Sequence, residues 1–203
     1  MTSKAIGRLS DIDIKELCVG DKPMISPFLD VQKGKPSAGL SSCGYDFRLG
    51  AKYYRQTDHI MYLDSGEEFW EIDPLNKEHQ EASWEACEAE GEFIIIGPLE
   101  CLLTETMEKI NMPNDVVAEV LGKSTYARNN IIVNSTPLEP EWRGIVTLEL
   151  HNSSPIYPVK LRVGQGIAQA IFSRMANPPA RTYSNRETPA TYQDQLGAAL
   201  SRG

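Results

Sequence analysis

The fold of this 203-residue chain is decided by one alternating stretch, Arg143-Gly144-Ile145-Val146-Thr147-Leu148-Glu149-Leu150. Successive side chains of a β-strand point to opposite faces of the sheet. One face of this strand is apolar and predicts burial in a core; it consists of Val146, Leu148 and Leu150. The opposite face carries Thr147 and Glu149. From this alternation alone Glu149 is expected at the surface, because carboxylates are mostly exposed.

Short apolar runs rich in β-branched residues recur along the chain and are separated by Pro, Gly and Asn turns. They comprise residues 93–96, 116–121, 131–133, 145–150, 159–163 and 167–172. This spacing is typical of an all-β barrel or sandwich. Ser10 and the acidic residues after it predict a short helix over residues 10–18. The mixed segment 75–90 predicts a helix or a mobile insertion, so the predicted fold class is mainly β with a few short helices.

Acidic residues are concentrated in one segment of the chain. The net charge is −8, but eleven acids and a single base, Lys77, lie within residues 64–92. The remaining residues hold 19 bases and 17 acids. A nucleic-acid-binding surface needs a basic stripe, which the sequence lacks, so we expect no nucleic-acid partner. A small phosphorylated ligand in a local pocket fits better, and we interpret residues 64–92 as an acidic insertion in a single domain spanning residues 1–203.

The cysteines and the hydropathy pattern indicate the compartment. The four cysteines are widely spaced, the start does not resemble a signal peptide, and no apolar run approaches the length of a membrane span. We therefore expect a cytoplasmic protein with reduced thiols and no membrane partner.

A candidate phosphate-binding motif spans residues 122–128, Gly122-Lys123-Ser124-Thr125-Tyr126-Ala127-Arg128. Backbone N–H groups at a turn or helix start bind anionic oxygens, and the two cations neutralise charge. The motif is not a nucleotide-binding P-loop, because that signature places a further glycine where this chain has Val117. Purely structural interpretations also exist: Ser124 as a helix cap, Arg128 as a surface cation, and the upstream Asp46 as a turn residue.

The zinc-dependent base deaminases are excluded by their signatures. They require His-x-Glu together with Pro-Cys-x-x-Cys, and the second pattern does not occur at any of the four scattered cysteines, Cys18, Cys43, Cys87 and Cys101. Any deamination by this chain is therefore expected to proceed without zinc.

Four motifs, in order along nearly the whole chain, resemble the superfamily of dCTP deaminases and dUTPases. They are residues 44–50 (Gly-Tyr-Asp-Phe-Arg-Leu-Gly), 122–128, 137–144 (Pro-Leu-Glu-Pro-Glu-Trp-Arg-Gly) and 164–169 (Gly-Gln-Gly-Ile-Ala-Gln). Residues 147–149 and the tail from Tyr183 to Gly197 are similar to the dCTP deaminase branch. The resemblance implies a dUTPase-like distorted β-barrel or jelly-roll with a short N-terminal helix. It also implies a homotrimer with sites shared between subunits and a C-terminal lid, residues 181–203, over the nucleotide.

The chemistry that the resemblance implies is zinc-independent hydrolysis of dCTP to dUTP and ammonia, which feeds dUMP and dTTP synthesis. Glu149 is the implied general acid and base for the water that adds to C4 of cytosine. Ser124 is the second implied catalytic residue, and Thr147 orients the water with it. Mg²⁺ is expected to bridge phosphate oxygens rather than to occupy a protein cage. The implied substrate-binding residues are Lys123, Ser124, Thr125, Tyr126, Ala127, Arg128, Glu139, Thr147, Leu148, Gln169, Tyr183, Thr191 and Gln195.

Departures from the family pattern leave alternatives open. The lid has Thr191 where the family usually has a lysine, and Glu139 stands where it has an aspartate. In dUTPase-like members that acidic residue positions a water for attack on a phosphate. A dUTPase, or a bifunctional deaminase and diphosphatase that acts on dCTP and forms dUMP, is therefore one alternative. A non-catalytic nucleotide-binding homologue is another.

Overall fold

The computed structural model describes residues 6–57, 61, 62, 66, 68, 69, 71–187 and 190–202. Its helices are α1 (Asp11–Leu17), α2 (Lys77–Ser83) and α3 (Ser124–Ala127). Its strands are β1 (Gly7–Arg8), β2 (Ile25–Ser26), β3 (Gly39–Ser41), β4 (Gly44–Gln56), β5 (Met61–Tyr62), β6 (Glu68–Phe69), β7 (Trp84–Glu88), β8 (Phe93–Ile96), β9 (Cys101–Asn111), β10 (Val116–Gly122), β11 (Ile131–Asn134), β12 (Arg143–Asn152), β13 (Val159–Arg162) and β14 (Gly166–Arg174).

Most of these strands belong to one curled antiparallel sheet. Its strand order is β1-β14-β4-β9-β12-β11, and β10, β2, β3 and β7 pair with members of this series. Two separate two-stranded sheets are formed by β8 with β13 and by β5 with β6. The predicted mainly β fold with a few short helices is confirmed.

The alternation predicted for β12 is present in the structure. Its apolar residues 146, 148 and 150 are buried, whereas Thr147 and Glu149 are half-buried. The buried face packs into a core that also contains Tyr45, Phe47 and Phe172. Burying one large apolar side chain stabilises a protein by about 1.5–3 kcal/mol, so the register of β12 is firmly set. The opposite face, with Thr147 and Glu149, is thereby turned away from this core.

The two longest strands of the described chain, β4 and β9, are absent from the predicted set. β4 pairs with β14 through residues 45–48 and with β9 farther along. Residues 75–90 contain α2, in agreement with the predicted helix, and then β7, which pairs with β4. Other parts of the acidic segment 64–92 lie outside the described residues.

The predicted N-terminal helix is confirmed as α1. The Ser10 hydroxyl accepts the Asp13 N–H at 3.4 Å, and the Asp13 carboxylate accepts the Ser10 N–H at 2.9 Å. This reciprocal capping satisfies two backbone donors at the helix start. Ile14 is fully buried, and Ile12 is exposed. None of the helices in the described part of the chain has the length and apolar character that crossing a membrane requires.

Candidate active site

A cavity of about 810 Å³ opens beside β12. Its wall includes Thr147 and Glu149, side chains of the loop from Ser135 to Trp142, and side chains of the lid. The lid contributes Tyr183, Arg186, Tyr192, Gln195, Ala199 and Ser201. This volume falls in the range of small-molecule sites, roughly 300–1,000 Å³. We call it the Glu149 cavity.

Glu149 is positioned by the strands on both sides of β12. Its register partners are Asn134 of β11 and Leu103 of β9, and Asn134 Nδ2 donates a hydrogen bond to Glu149 Oε2. A carboxylate that is oriented by a neutral amide can still accept a proton, as general base catalysis requires. The exposed position expected from alternation alone is not observed, because Glu149 is half-buried and lines the cavity.

Thr147 lies two residues before Glu149 on the same face, and its hydroxyl holds the lid. Thr147 Oγ1 accepts hydrogen bonds from Gln195 Nε2 and from the Ala199 N–H, each at 3.1 Å. A threonine hydroxyl has two acceptor lone pairs and one O–H donor. Its O–H is therefore the group left to act on a ligand or a water.

The lid docks on this side of the sheet through several further contacts. Trp142 Nε1 donates to the Tyr192 carbonyl at 3.1 Å. The Tyr183 N–H donates to the Pro140 carbonyl at 3.0 Å, and the Tyr192 N–H donates to the Tyr183 hydroxyl at 3.1 Å. The described part of the lid therefore closes over the cavity of its own chain and brings Tyr183 and Gln195 beside Glu149.

The phosphate motif lies outside the wall of the Glu149 cavity. Ser124 begins α3, with Lys123 at the N-cap position, so the interpretation of Ser124 as the cap is wrong. Ser124 and Arg128 are both exposed, and Arg128 Nη1 donates to Ser124 Oγ at 3.1 Å. Of their neighbours, Thr125 and Ala127 are exposed, and Tyr126 is buried. Burial raises the pKa of the Tyr126 hydroxyl, so it stays neutral.

Lys123 points into the protein rather than toward open solvent. Its Nζ lies 2.7 Å from Asp46 Oδ2 and donates to Ser37 Oγ at 3.1 Å. Gln32 Nε2 and Ser37 Oγ also donate to Asp46 Oδ2, at 2.8 and 3.0 Å. The interpretation of Asp46 as a turn residue is wrong, because it is a fully buried strand residue that neutralises Lys123.

Three other predicted binding residues lie as follows. The Leu148 side chain is fully buried in the core, so only its backbone can meet a ligand, and its carbonyl accepts from Thr104 Oγ1 at 3.2 Å. Gln169 lies on β14 opposite Leu121 and donates to Ser41 Oγ at 3.1 Å, away from the Glu149 cavity wall. The Thr191 carbonyl accepts from Arg202 Nη1 at 2.6 Å.

Glu139 lines the Glu149 cavity and pairs with Arg186 of the lid. Sequence reasoning missed Arg186 and Asn134 as site residues. The signal for Asn134 was its place at the end of a predicted strand, but only the register of β11 against β12 shows that it meets Glu149. The signal for Arg186 was a cation three residues after Tyr183.

Docking of the lid is expected to weaken in acid through Glu141. Hydrogen bonds from the Ser184 and Thr182 hydroxyls lower the pKa of the Glu141 carboxyl below its ordinary value of 4.5. A lowered pKa in the docked state stabilises docking above the undocked pKa, and this stabilisation is lost as the pH falls through the lowered value. Tryptophan fluorescence, to which Trp142 against the lid contributes, should therefore change below about pH 4.5.

The matched variant for this prediction is Glu141→Gln. Its neutral side chain still accepts hydroxyl hydrogen bonds but carries no titrating charge, so the acidic fluorescence change should disappear. The same pH midpoint in the variant and in the unaltered protein would show that Glu141 does not control the lid.

The sequence matches a family model described as dCTP deaminase-like over residues 8–175. A dCTP deaminase of Anaplasma phagocytophilum (strain HZ) is 42% identical over 92% of this chain and 94% of that protein. The dCTP deaminase of Pelagibacter ubique (strain HTCC1062) is 37% identical over 96% of this chain and 98% of that protein. A dCTP deaminase of Helicobacter pylori (strain G27) is 38% identical over 97% of this chain and 98% of that protein.

A solved structure with a similar fold is that of 2′-deoxycytidine 5′-triphosphate deaminase from Agrobacterium tumefaciens. It superposes with a TM-score of 0.60 at 20% sequence identity and covers 84% of this chain. The aligned part spans 49% of the Agrobacterium chain. At this identity the likeness concerns the fold alone.

Proposed function

Because the chain belongs to the dCTP deaminase-like family, we propose that it hydrolyses dCTP to dUTP and ammonia with Glu149 as general acid and base. The observation that carries this proposal is the position of Glu149. It lies in the wall of a cavity of nucleotide size, on a strand whose opposite face is fixed in the core.

The reaction adds water to C4 of cytosine and expels the exocyclic amine as ammonia. In our proposal Glu149 takes a proton from the water as it adds and delivers it to the ring nitrogen or to the leaving amine. Thr147, whose lone pairs accept from the lid, donates its O–H to the oxygen of that water. A fixed donor of this kind stabilises the charge that develops in the transition state.

The phosphate motif supports a site shared between subunits. Ser124 and Arg128 are exposed and lie outside the wall of the Glu149 cavity, although hydroxyls and a guanidinium suit phosphate oxygens. A neighbouring subunit that brings its motif to this cavity would complete the site, and we propose that this assembly is the homotrimer that the family resemblance implies. Ser124 would then act beside Glu149 of another chain.

Mg²⁺ neutralises the charge of a triphosphate when it binds. Within the ranges that the structure describes, no group of three or more His, Cys, Asp or Glu side chains is placed to hold a metal ion. We propose that the ion is carried mainly by phosphate and water oxygens. The proposed reaction is zinc-independent, and its product dUTP would feed dUMP and dTTP synthesis in the cytoplasm.

Separate measurement of ammonia and pyrophosphate tests the proposal. Purified protein is incubated with dCTP and with dUTP, with and without Mg²⁺, and ammonia alone is expected from dCTP. Pyrophosphate from dUTP without ammonia from dCTP would indicate a dUTPase. Both products from dCTP would indicate a bifunctional enzyme, for which the carboxylate of Glu139 lies in the same cavity. Binding of nucleotide without either product would contradict the proposal and indicate a non-catalytic homologue.

A further inference from the structure

The end of the lid meets the main sheet at Glu105, an acidic residue of β9 that the proposed reaction does not use. Glu105 is the register partner of Thr147 across β9 and β12, and directly opposed residues project to the same face about 4.5–5.5 Å apart. Glu105 lies outside the wall of the Glu149 cavity, whereas the lid residues Gln195 and Ala199 belong to that wall. An effect of Glu105 on the site would therefore act through the lid.

Consecutive N–H groups near the end of the lid face these two side chains. The Ala199 N–H donates to Thr147 Oγ1 at 3.1 Å. Burial raises the pKa of the Glu105 carboxyl above its ordinary value of 4.5, whereas hydrogen bonding from the backbone N–H groups of Lys52 and Ala198 lowers it. A carboxyl group accepts an N–H in its charged form and in its neutral form, so the contact with Ala198 does not depend on the charge.

Two glycines leave room for the Glu105 side chain, one at each of its ends. A Cβ added at Gly50 of β4 would lie 2.5 Å from Glu105 Cγ, and one added at Gly197 of the lid would lie 2.9 Å from Glu105 Oε2. Both distances are well below the roughly 3.5–4.0 Å at which carbon atoms attract each other. The stem of the side chain therefore lies flat against β4, and its carboxylate rests on the lid backbone at Gly197.

We propose that Glu105 is a positioning residue that, together with Thr147, latches the lid over the Glu149 cavity. The latch consists of two acceptors, the Glu105 carboxylate and the Thr147 hydroxyl, on the consecutive N–H groups of Ala198 and Ala199. Together they hold Ala199 in the cavity wall. The latch is a property of the protein without nucleotide, and its effect on nucleotide release rests on the proposed function, since it takes dCTP as the ligand.

Hydrogen–deuterium exchange of the lid amides, measured without nucleotide, tests the latch. In Glu105→Ala the Ala198 N–H loses its acceptor, and loss of one hydrogen bond should speed exchange at Ala198 and Ala199 about fivefold. Gly197→Ala should have a similar effect, because its methyl group displaces the carboxylate from the lid backbone. Exchange at the rate of the unaltered protein in both variants overturns the inference.

The double variant separates the latch from a general loosening of the lid. In the described part of the chain, Glu105 Oε2 is the only atom within 4 Å of a Cβ added at Gly197, apart from atoms of Gly197 and its two chain neighbours. Once Glu105 is replaced, the methyl group has room. Glu105→Ala combined with Gly197→Ala should therefore exchange no faster than Glu105→Ala alone, and multiplication of the two effects overturns the inference.

Two further variants are the controls. Glu105→Gln should exchange like the unaltered protein, because its amide oxygen still accepts the N–H. Glu119→Ala should also be unchanged, since Glu119 is an exposed strand carboxylate that pairs with Arg8. Exchange in Glu105→Gln as fast as in Glu105→Ala would contradict the role of Glu105 as an acceptor. Should Glu105→Ala lose its fold by circular dichroism, Gly197→Ala, which alters the lid alone, decides by the same exchange rates.

The dissociation rate of dCTP tests the effect of the latch on the bound nucleotide. It is measured by stopped-flow in a Glu149→Gln background, so that dCTP is not consumed. Because the lid has to open before the nucleotide leaves, adding Glu105→Ala should raise this rate about fivefold. An unchanged rate would overturn the positioning role. If dCTP does not bind at all, the proposed function fails, whereas the exchange rates still decide whether Glu105 holds the lid.

Discussion

The Glu149→Gln variant is expected to release ammonia from dCTP about 10²–10⁴-fold more slowly than the unaltered protein, with its fold and its nucleotide affinity retained. Glutamine has nearly the same shape as glutamate, and its amide oxygen can still accept the hydrogen bond from Asn134. It cannot take the proton of the attacking water. The loss should therefore appear in kcat rather than in the dissociation constant for dCTP.

A coupled ammonia assay and calorimetry with dCTP measure these two quantities. Glu119→Gln provides the matched control, because Glu119 is an exposed strand carboxylate that pairs with Arg8. Its turnover should be unchanged. If the Glu149→Gln variant deaminated dCTP at the rate of the control, Glu149 would have no part in the chemistry.

The Lys123→Met variant is expected to lower the free energy of unfolding by about 3–5 kcal/mol, because it leaves a buried charge without its partner. The Asp46 side chain is 0% exposed, and that of Lys123 is 15% exposed. Two neutral donors, Gln32 and Ser37, would remain on Asp46 Oδ2. They satisfy hydrogen bonds but do not replace the lost positive charge.

Denaturant unfolding measures this effect. The double variant Asp46→Asn with Lys123→Met should be more stable than Lys123→Met alone, because it removes the uncompensated charge. Lys77→Met is the control for an exposed pair: Lys77 and Glu81 lie 3.3 Å apart at the surface, where such pairs contribute about 0–1 kcal/mol. Equal stability losses in Lys123→Met and Lys77→Met would show that the buried pair contributes no more to the free energy of unfolding than the exposed pair.

The fold was predictable wherever one side of a strand is apolar. In β12 the core residues alternate with polar ones, so the strand and its buried face follow directly from the sequence. The short strands β8, β10, β11, β13 and β14 were also predicted, because each contains a run of β-branched or other apolar residues. Local composition was sufficient for these strands, and so was the capping pattern of α1.

β9 was not predictable in the same way, because the centre of its buried face, between Leu102 and Ile110, is polar. Thr104, Thr106 and Glu108 are all buried on that face. Thr106 Oγ1 accepts the N–H of Val146 at 3.1 Å, and Glu108 pairs with Arg48 at 2.6 Å. These partners lie about 40–60 residues away. Burial of such polar groups is feasible only with those hydrogen bonds, and a linear pattern does not reveal them.

The sequence predicted only in part which residues lie close together in the candidate site. Glu149, Thr147, Glu139, Tyr183 and Gln195 were all named from the sequence, and the structure places them around one cavity. The motif residues Ser124 and Arg128 were named as well, but they lie outside that cavity wall. The strand register and the path of the lid decide these distances, and both depend on contacts between distant segments.

The lid also occupies an edge of the main sheet. β11 pairs with β12 only from Glu149 to Asn152, and farther along the same edge the Ile145 N–H donates to the Gln195 carbonyl at 3.0 Å. The Asp194 N–H likewise donates to the Arg143 carbonyl at 2.8 Å. An uncovered strand edge recruits strands from other molecules and promotes aggregation. Detaching the tail would therefore threaten colloidal stability as well as turnover, and resistance to aggregation would favour sequences that keep the tail bound.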